Sequence, residues 1–540
     1  MVNHLYFKLF LYLFVVVFSA GLYFFCTDTA KNRLGAFGAD IYLPILLTFT
    51  FLLRLPYILN IEVNVDTSTW ISSLISIEHY PDRLWTFFNY TDSRPLTVFP
   101  LILISGLGVE VNYYTSECLG IIFWLSTVFF LFKTLNLYLA KSFSLVISWG
   151  LCLFIGTMFL SDYTSYNSEQ LGILLLTAST YGYLRYLNHK TKQDFSITFI
   201  GLILGSLPYV KFQNVPMGLL IAVMLIIEII QRREWKRFWQ LIGGGLLPTL
   251  SINIYYLSEN KLMVFWNNYF WNYFYYSYTT QFSNVPISER FNPVRIINFI
   301  YYSANSRIYM FSVTFVIFTA LISCRNTIRT WDNMQKKTIT FSVLFTLISL
   351  YSILQSGNYF QHYRLYLLVP ITLLLGLLIA FAAQQYRKNL ALAFLVCCTV
   401  MAGFNLYIRP EKTDTSFENL DFAVLRLIEK ESKANQTIVV WGWRDQLYVR
   451  SKRAMGFRDP HTFHFSLKSK LIPFWTKDFL QDMETNKPVL FIDTTKPADY
   501  SIFSRMLLPY ERVPVINTYI KKHYTLLATI EGLRIFKRTR

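Results

Sequence analysis

A few ionisable residues stand at the ends of apolar runs, where a charge is costly unless it meets a partner, water or a ligand. Asp66, in Ile61-Glu62-Val63-Asn64-Val65-Asp66-Thr67, follows one such run, and Asp162, in Ser161-Asp162-Tyr163-Thr164-Ser165-Tyr166-Asn167, ends another. A carboxylate just outside a bilayer can serve as general base for an acceptor hydroxyl, or help hold a divalent cation. As a solvated loop acid it does neither. Glu169, near the start of the next run, reads first as solvated.

The cations complement these acids. Lys211, in Leu207-Pro208-Tyr209-Val210-Lys211-Phe212-Gln213, sits between two apolar segments, where it can meet a lipid phosphate or snorkel to the interface. His362 and Arg364 lie in Gly357-Asn358-Tyr359-Phe360-Gln361-His362-Tyr363-Arg364, just before another apolar run. Their donors suit a phosphate or pyrophosphate. Arg94, before Pro95, is a further phosphate candidate, as is Arg54 inside an apolar span. Insertion of an arginine costs about 2.5–3.5 kcal/mol, so Arg54 needs a partner or water, and interhelical pairing alone would satisfy it.

The run Phe265-Trp266-Asn267-Asn268-Tyr269-Phe270-Trp271-Asn272-Tyr273-Phe274-Tyr275-Tyr276 interleaves rings and amides. It suits either an interfacial amphipathic helix or a surface that stacks on sugars or lipid headgroups. The six cysteines form no CxxC pair and the seven histidines no zinc pattern. His461 and His464, three apart, read as surface or structural residues.

The elements that must position these groups are membrane helices. Of 540 residues, 54% are hydrophobic and only 15% charged, too apolar a balance for an ordinary soluble domain. A net charge of +18 would suit nucleic acid, but much of the basic excess lies in short segments between apolar runs, such as Arg232, Arg233, Lys236 and Arg237. That is the positive-inside pattern, and nucleic acid is excluded as a partner. With about 20 apolar residues needed per crossing, the runs 4–25, 42–60, 116–137, 142–161, 168–188, 195–209, 212–231, 237–257, 307–324, 338–356, 363–384 and 389–407 predict about twelve spans. The first can also be an uncleaved signal anchor.

Basic residues sort the connections into two sides. Lys31 and Arg33, Lys133 and Lys141, Arg185 with Lys190 and Lys192, the 232–237 cluster, Arg325 with Arg329, Lys336 and Lys337, and Arg387 with Lys388 mark one side, read as cytoplasmic. The other side receives 61–115, 162–167, 258–306, 357–362 and 408–540. The stretch 95–109 is apolar but short and interrupted by Pro100, and predicts an interfacial or re-entrant helix. The first outer loop then carries Glu62, Asp66, Glu78, Asp82, Asp92 and Glu110 against Arg83 and Arg94. After 408 the pattern changes. Buried strands are expected at 437–443 and 488–494, each after a helical stretch, and a strand pair over 524–537 turning near Gly532. The expected domains are an N-terminal transmembrane helix with a cytoplasmic loop (1–40), a transmembrane domain (41–407) and an extracytoplasmic α/β domain (408–540).

From about residue 42 onward, the ordered short motifs resemble the GT-C superfamily of membrane glycosyltransferases, especially the bacterial protein-mannosyltransferase-like and aminoarabinose-transferase-like group (glycosyltransferase family 39-like). Arg54-Leu55-Pro56 and then Asp66 look like its first helix end and acidic first loop. Ser93-Arg94-Pro95-Leu96 is similar to its basic-Pro-Leu element. Asp162 matches the second acidic position, Lys211 the lysine of a G…K segment, and His362-Tyr363 with the run to Pro370 an HY…P helix. Trp441-Gly442-Trp443 with Leu447-Tyr448 resembles the start of the outer domain. Many members carry an acidic pair at the first-loop position, whereas Thr67 follows Asp66 here, leaving Asp66 as a single base or metal ligand.

The resemblance implies an inverting transferase of the bacterial inner membrane and cell envelope. A sugar would leave a polyprenyl-phosphate carrier on the outer face for a lipid, glycan or protein acceptor, with Asp66 and Asp162 catalytic. Arg94, Lys211, His362, Tyr363, Arg364 and Arg54 would bind substrate or phosphate, and a divalent cation is the only cofactor in view. A transporter or flippase of lipid-linked saccharides would need repeated halves and mid-span polar residues. A polysaccharide polymerase or ligase would share the substrates, and a non-catalytic scaffold would need none of these side chains.

Overall fold

A computed structural model describes residues 2–27, 35–81, 94–188, 197–278, 285–325, 327–410, 416–467, 469–495, 507–530 and 532–539. Lys31, Arg33, Asp82, Arg83, Asp92, Ser93, Lys190 and Lys192 lie outside the described residues. The chain divides into two compact units. The first joins Met1–Ile58, Glu117–Ser251 and Ile287–Glu411, and the second joins Leu59–Ser116, Ile252–Pro286 and Lys412–Arg540.

The first unit is helical. Among the described residues seven helices are long and apolar enough to cross a membrane: Leu5–Phe24, Tyr113–Leu135, Phe212–Gln231, Arg307–Cys324, Asn333–Leu354, Gln361–Phe381 and Gln384–Ile408. This is the architecture of a helical membrane protein. The other expected spans are also helical, as Gly35–Arg54, Lys141–Thr157, Ser168–Asn188, Ile197–Val210 and Trp235–Ser258. These five are shorter or more polar; Ser168–Asn188 buries Glu169, Gln170, Thr177, Ser179 and Thr180 along its length. Leu365–Phe381 is apolar on every side and is almost wholly buried, as a central helix must be. The same core holds Trp124, Trp149, Phe154, Tyr309 and Phe394. Gly205 permits one close crossing, since a Cβ there would come within 2.0 Å of the Gly245 carbonyl oxygen.

The second unit carries a four-stranded sheet: β1 Ile438–Trp441, β2 Leu490–Asp493, β3 Tyr524–Ile530 and β4 Leu533–Arg538. The spatial order is β1-β2-β4-β3, with β1 parallel to β2 and the other pairs antiparallel. Helices Ser416–Glu431 and Ile472–Asn486 precede β1 and β2. Trp441, Phe479 and Phe491 form the centre of its core. His461 and His464 are buried in this domain, with rings 4.5 Å from Trp443 and 4.8 Å from Trp475 respectively, so the surface alternative for them is corrected to a structural one.

Distant segments are stitched onto this domain by hydrogen bonds. In helix Val65–His79, Thr69 Oγ1 donates to Asp445 Oδ2 at 2.5 Å, and Ser76 Oγ accepts from the Met455 amide at 2.9 Å. Trp475 Nε1 donates to Asn268 Oδ1 at 2.8 Å. Asn268 lies in a π-helical turn, Asn267–Trp271, between helices Leu262–Trp266 and Asn272–Tyr278. The aromatic run therefore has two faces, with Phe265 and Tyr269 buried and Trp271 and Phe274 exposed.

Gly442, just after β1, adopts φ 125°, and a Cβ there would sit 2.0 Å from Thr494 Oγ1. Only glycine occupies this region without strain. Gly442→Ala is expected to destabilise the protein by about 2–3 kcal/mol, read as a lower midpoint in thermal unfolding of the purified chain.

Candidate functional site

Four charged or titratable side chains from separate segments meet inside the first unit. Helix Lys141–Thr157 stops as Met158 turns extended, and the short helix Ser161–Thr164 presents Asp162. Asn167 then caps the next helix reciprocally, its Oδ1 accepting from the Gln170 amide at 3.1 Å while Gln170 Oε1 accepts from the Asn167 amide at 3.2 Å. Glu169 consequently falls in the first turn of Ser168–Asn188, where the helix dipole favours a carboxylate.

Lys211 occupies a break. Helix Ile197–Val210 contains Pro208, Lys211 is extended at φ −167°, and Val215–Gln231 restarts with Pro216 in its first turn. From that break the Lys211 ammonium pairs with Glu169 and stands 4.8 Å from the centroid of the Tyr363 ring. His362, in the 3-10 turn Gln361–Arg364, completes the group. Its Nε2 is 3.7 Å from Glu169 Oε1 and its Nδ1 3.9 Å from Asp162 Oδ2. These distances are too long for direct hydrogen bonds but close enough for electrostatic coupling in a low-dielectric interior. The Glu169 side chain is 1% exposed and that of Asp162 28%, so the cluster runs from a buried pair towards an accessible acid.

Amides flank the cluster in sequence. Buried side-chain nitrogen and oxygen atoms of Gln213, Asn214 and Asn358, with Gln361 Oε1, have no hydrogen-bond partner among the described residues. Leaving such groups unpaired costs about 1–3 kcal/mol each, which marks them as places for a polar ligand or water. Asn214 packs against helix Ser168–Asn188 at Gly172, where a Cβ would fall 2.6 Å from its amide atoms.

Several expectations change. Glu169 is not a solvated acid but a buried partner of Lys211, and Lys211 meets this carboxylate rather than snorkelling outward. Arg54 is buried, pairs with Glu117 and donates to the Met158 carbonyl at 2.5 Å. Arg364 is buried too; its Nε donates to the Phe299 carbonyl and its guanidinium lies 4.4 Å from the Phe299 ring centroid. Both arginines make protein contacts instead of standing at an open phosphate site. Each needs such contacts because a buried guanidinium without a counter-charge or acceptors is costly.

Asp66 and Arg94 belong to the second unit. Asp66 lies in the first turn of Val65–His79, half-buried, its amide donating to the capping Asn64 Oδ1 at 2.9 Å. Arg94, also half-buried, precedes helix Pro95–Gly106 with φ 47°. Among the described residues no three His, Cys, Asp or Glu side chains are grouped to hold a metal ion.

Glu169, Gln213 and Asn214 are the residues that sequence reasoning undervalued. The reciprocal Asn167/Gln170 cap was the available signal, since it places Glu169 at a helix mouth beside Asp162. No protein-family model matches this chain, and no curated protein matches it in sequence.

Proposed function

We propose that the protein is an inverting membrane glycosyltransferase that moves a sugar from a polyprenyl-phosphate carrier to an acceptor hydroxyl or amine. The observation that carries this reading is the grouping of Asp162, Glu169, Lys211 and His362 at helix ends, flanked in sequence by amides of Gln213, Asn214 and Asn358 that lack hydrogen-bond partners among the described residues. Amides suit sugar hydroxyls, and a partly buried cation with an imidazole suits a phosphate whose charge grows as it leaves. The phosphate would share the three-donor Lys211 ammonium with Glu169. The acceptor oxygen would lose its proton to a carboxylate and attack the anomeric carbon as the carbon–oxygen bond to phosphate breaks, inverting that centre. Asp162, the accessible acid of the cluster, is the carboxylate proposed for that proton transfer, and the resemblance implies a catalytic role for Asp66 as well.

In this reading about twelve helices cross a bacterial inner membrane, and the segments 59–116, 252–286 and 412–540 lie on the outer face. Their assembly as one compact unit supports a common side. The decisive measurement is turnover by the purified full chain in liposomes holding a polyprenyl-phosphate-linked sugar and a cell-envelope acceptor extract. Free polyprenyl phosphate and a singly glycosylated product are expected. Movement of intact donor across the bilayer without cleavage would establish a transporter instead, and transfer of preassembled chains a ligase.

A further inference from the structure

Elsewhere in the first unit, a groove of about 550 Å³ opens between helix Pro293–Tyr301 and the membrane-length helix Arg307–Cys324. Phe311, Phe315 and Phe318 line it, all more than half exposed, with Tyr301 and Asn298 on the facing wall. The Tyr301 ring stacks on Phe311 at 4.3 Å and its hydroxyl lies 2.8 Å from Thr314 Oγ1, so the two walls are already joined. Arg307 lines the same groove and opens the longer helix.

Arg307 is exposed, and the first turn of its helix holds no acidic residue. Among the described residues it forms no ion pair; nearby Arg295, by contrast, is matched by Glu289 at 2.5 Å. A cation at a helix N-terminus adds to the positive end of the dipole, leaving positive charge that attracts an anion. From Arg307 to Phe318 the helix rises roughly 16 Å, about one leaflet of a hydrocarbon core roughly 30 Å thick. One cationic end and one leaflet-long apolar wall are the complement of a charged amphiphile.

We propose that this groove binds an anionic glycerophospholipid, with its headgroup phosphate at Arg307 and one acyl chain along Phe311, Phe315 and Phe318. The proposal rests on helix Arg307–Cys324 spanning the membrane and is independent of sugar transfer. With no acid paired to Arg307 among the described residues to receive a choline or amine, a net-negative headgroup is preferred over a zwitterionic one.

The test uses the purified full chain in vesicles of phosphatidylcholine with a minor fraction of phosphatidylglycerol, followed by native mass spectrometry of retained lipid. Phosphatidylglycerol is expected to be enriched about five-fold over its vesicle fraction, the selectivity of one interfacial cation. Arg307→Gln should abolish the enrichment, Arg307→Lys should keep it, and Arg295→Gln should leave it unchanged. Phe315→Ala should lower total retention without altering headgroup preference. Equal retention of both lipids, or enrichment that survives Arg307→Gln, would overturn the proposal. Displacement of the lipid by inorganic phosphate would overturn it too, by showing a simple anion site that does not use the apolar wall.

Discussion

Replacing Lys211 with methionine is expected to destabilise the folded protein by about 3–5 kcal/mol. The size follows from Glu169, whose side chain is 1% exposed and would be left as a buried carboxylate without its cation. His362 Nε2, 3.7 Å away, is too far to replace the lost hydrogen bond. The double variant Lys211→Met/Glu169→Leu is expected to recover most of the loss, because removing both members of a buried pair avoids the orphaned charge. Thermal unfolding in detergent reports both numbers. The double variant also separates structure from chemistry: if Lys211 binds the leaving phosphate, it should fold nearly as well as the natural protein yet transfer no sugar. A double variant that unfolds like the single one would show that the pair itself is not what Lys211 stabilises.

Asp66→Asn is expected to lower sugar transfer by about 10²–10⁴-fold, the usual contribution of a general base. Asparagine keeps the shape of the side chain and removes only the charge. Asp66 lies in the first turn of Val65–His79, where loss of a carboxylate costs about 0.3–1 kcal/mol of dipole interaction. An inactive variant with an unshifted unfolding midpoint would identify a chemical role. Release of polyprenyl phosphate from a lipid-linked donor is the readout. Transfer at the natural rate would end the assignment and leave Asp162 as the remaining carboxylate to test.

The C-terminal sheet was legible strand by strand. The short apolar stretches at 437–443 and 488–494 contain β1 and β2, and the pair over 524–537 turns at Gly532 as β3 and β4. Such runs are recognisable because β-branched and aromatic residues between turn residues already satisfy a buried strand. Their spatial order was not legible: β4, last in sequence, lies between β2 and β3. Nothing local distinguishes that arrangement from a simple meander, because strand neighbours are chosen by long-range packing.

The same division holds for the charges. A run of apolar residues determines by itself that a helix must be removed from water, since burial free energy sums along a contiguous segment. It also makes a charge at its end conspicuous, which is how Asp162, Lys211 and His362 stood out. Which charge meets which is not a property of any segment. Lys211 pairs with Glu169, 42 positions earlier, and Arg54 with Glu117, 63 positions later. Each pairing depends on the chain returning to within hydrogen-bond reach, and only the packed helices set that distance. The amino-acid order thus determined where charge is costly in this protein, and the tertiary structure decided which partners offset it, because Coulomb energy in a low-dielectric interior depends on separation in space rather than along the chain.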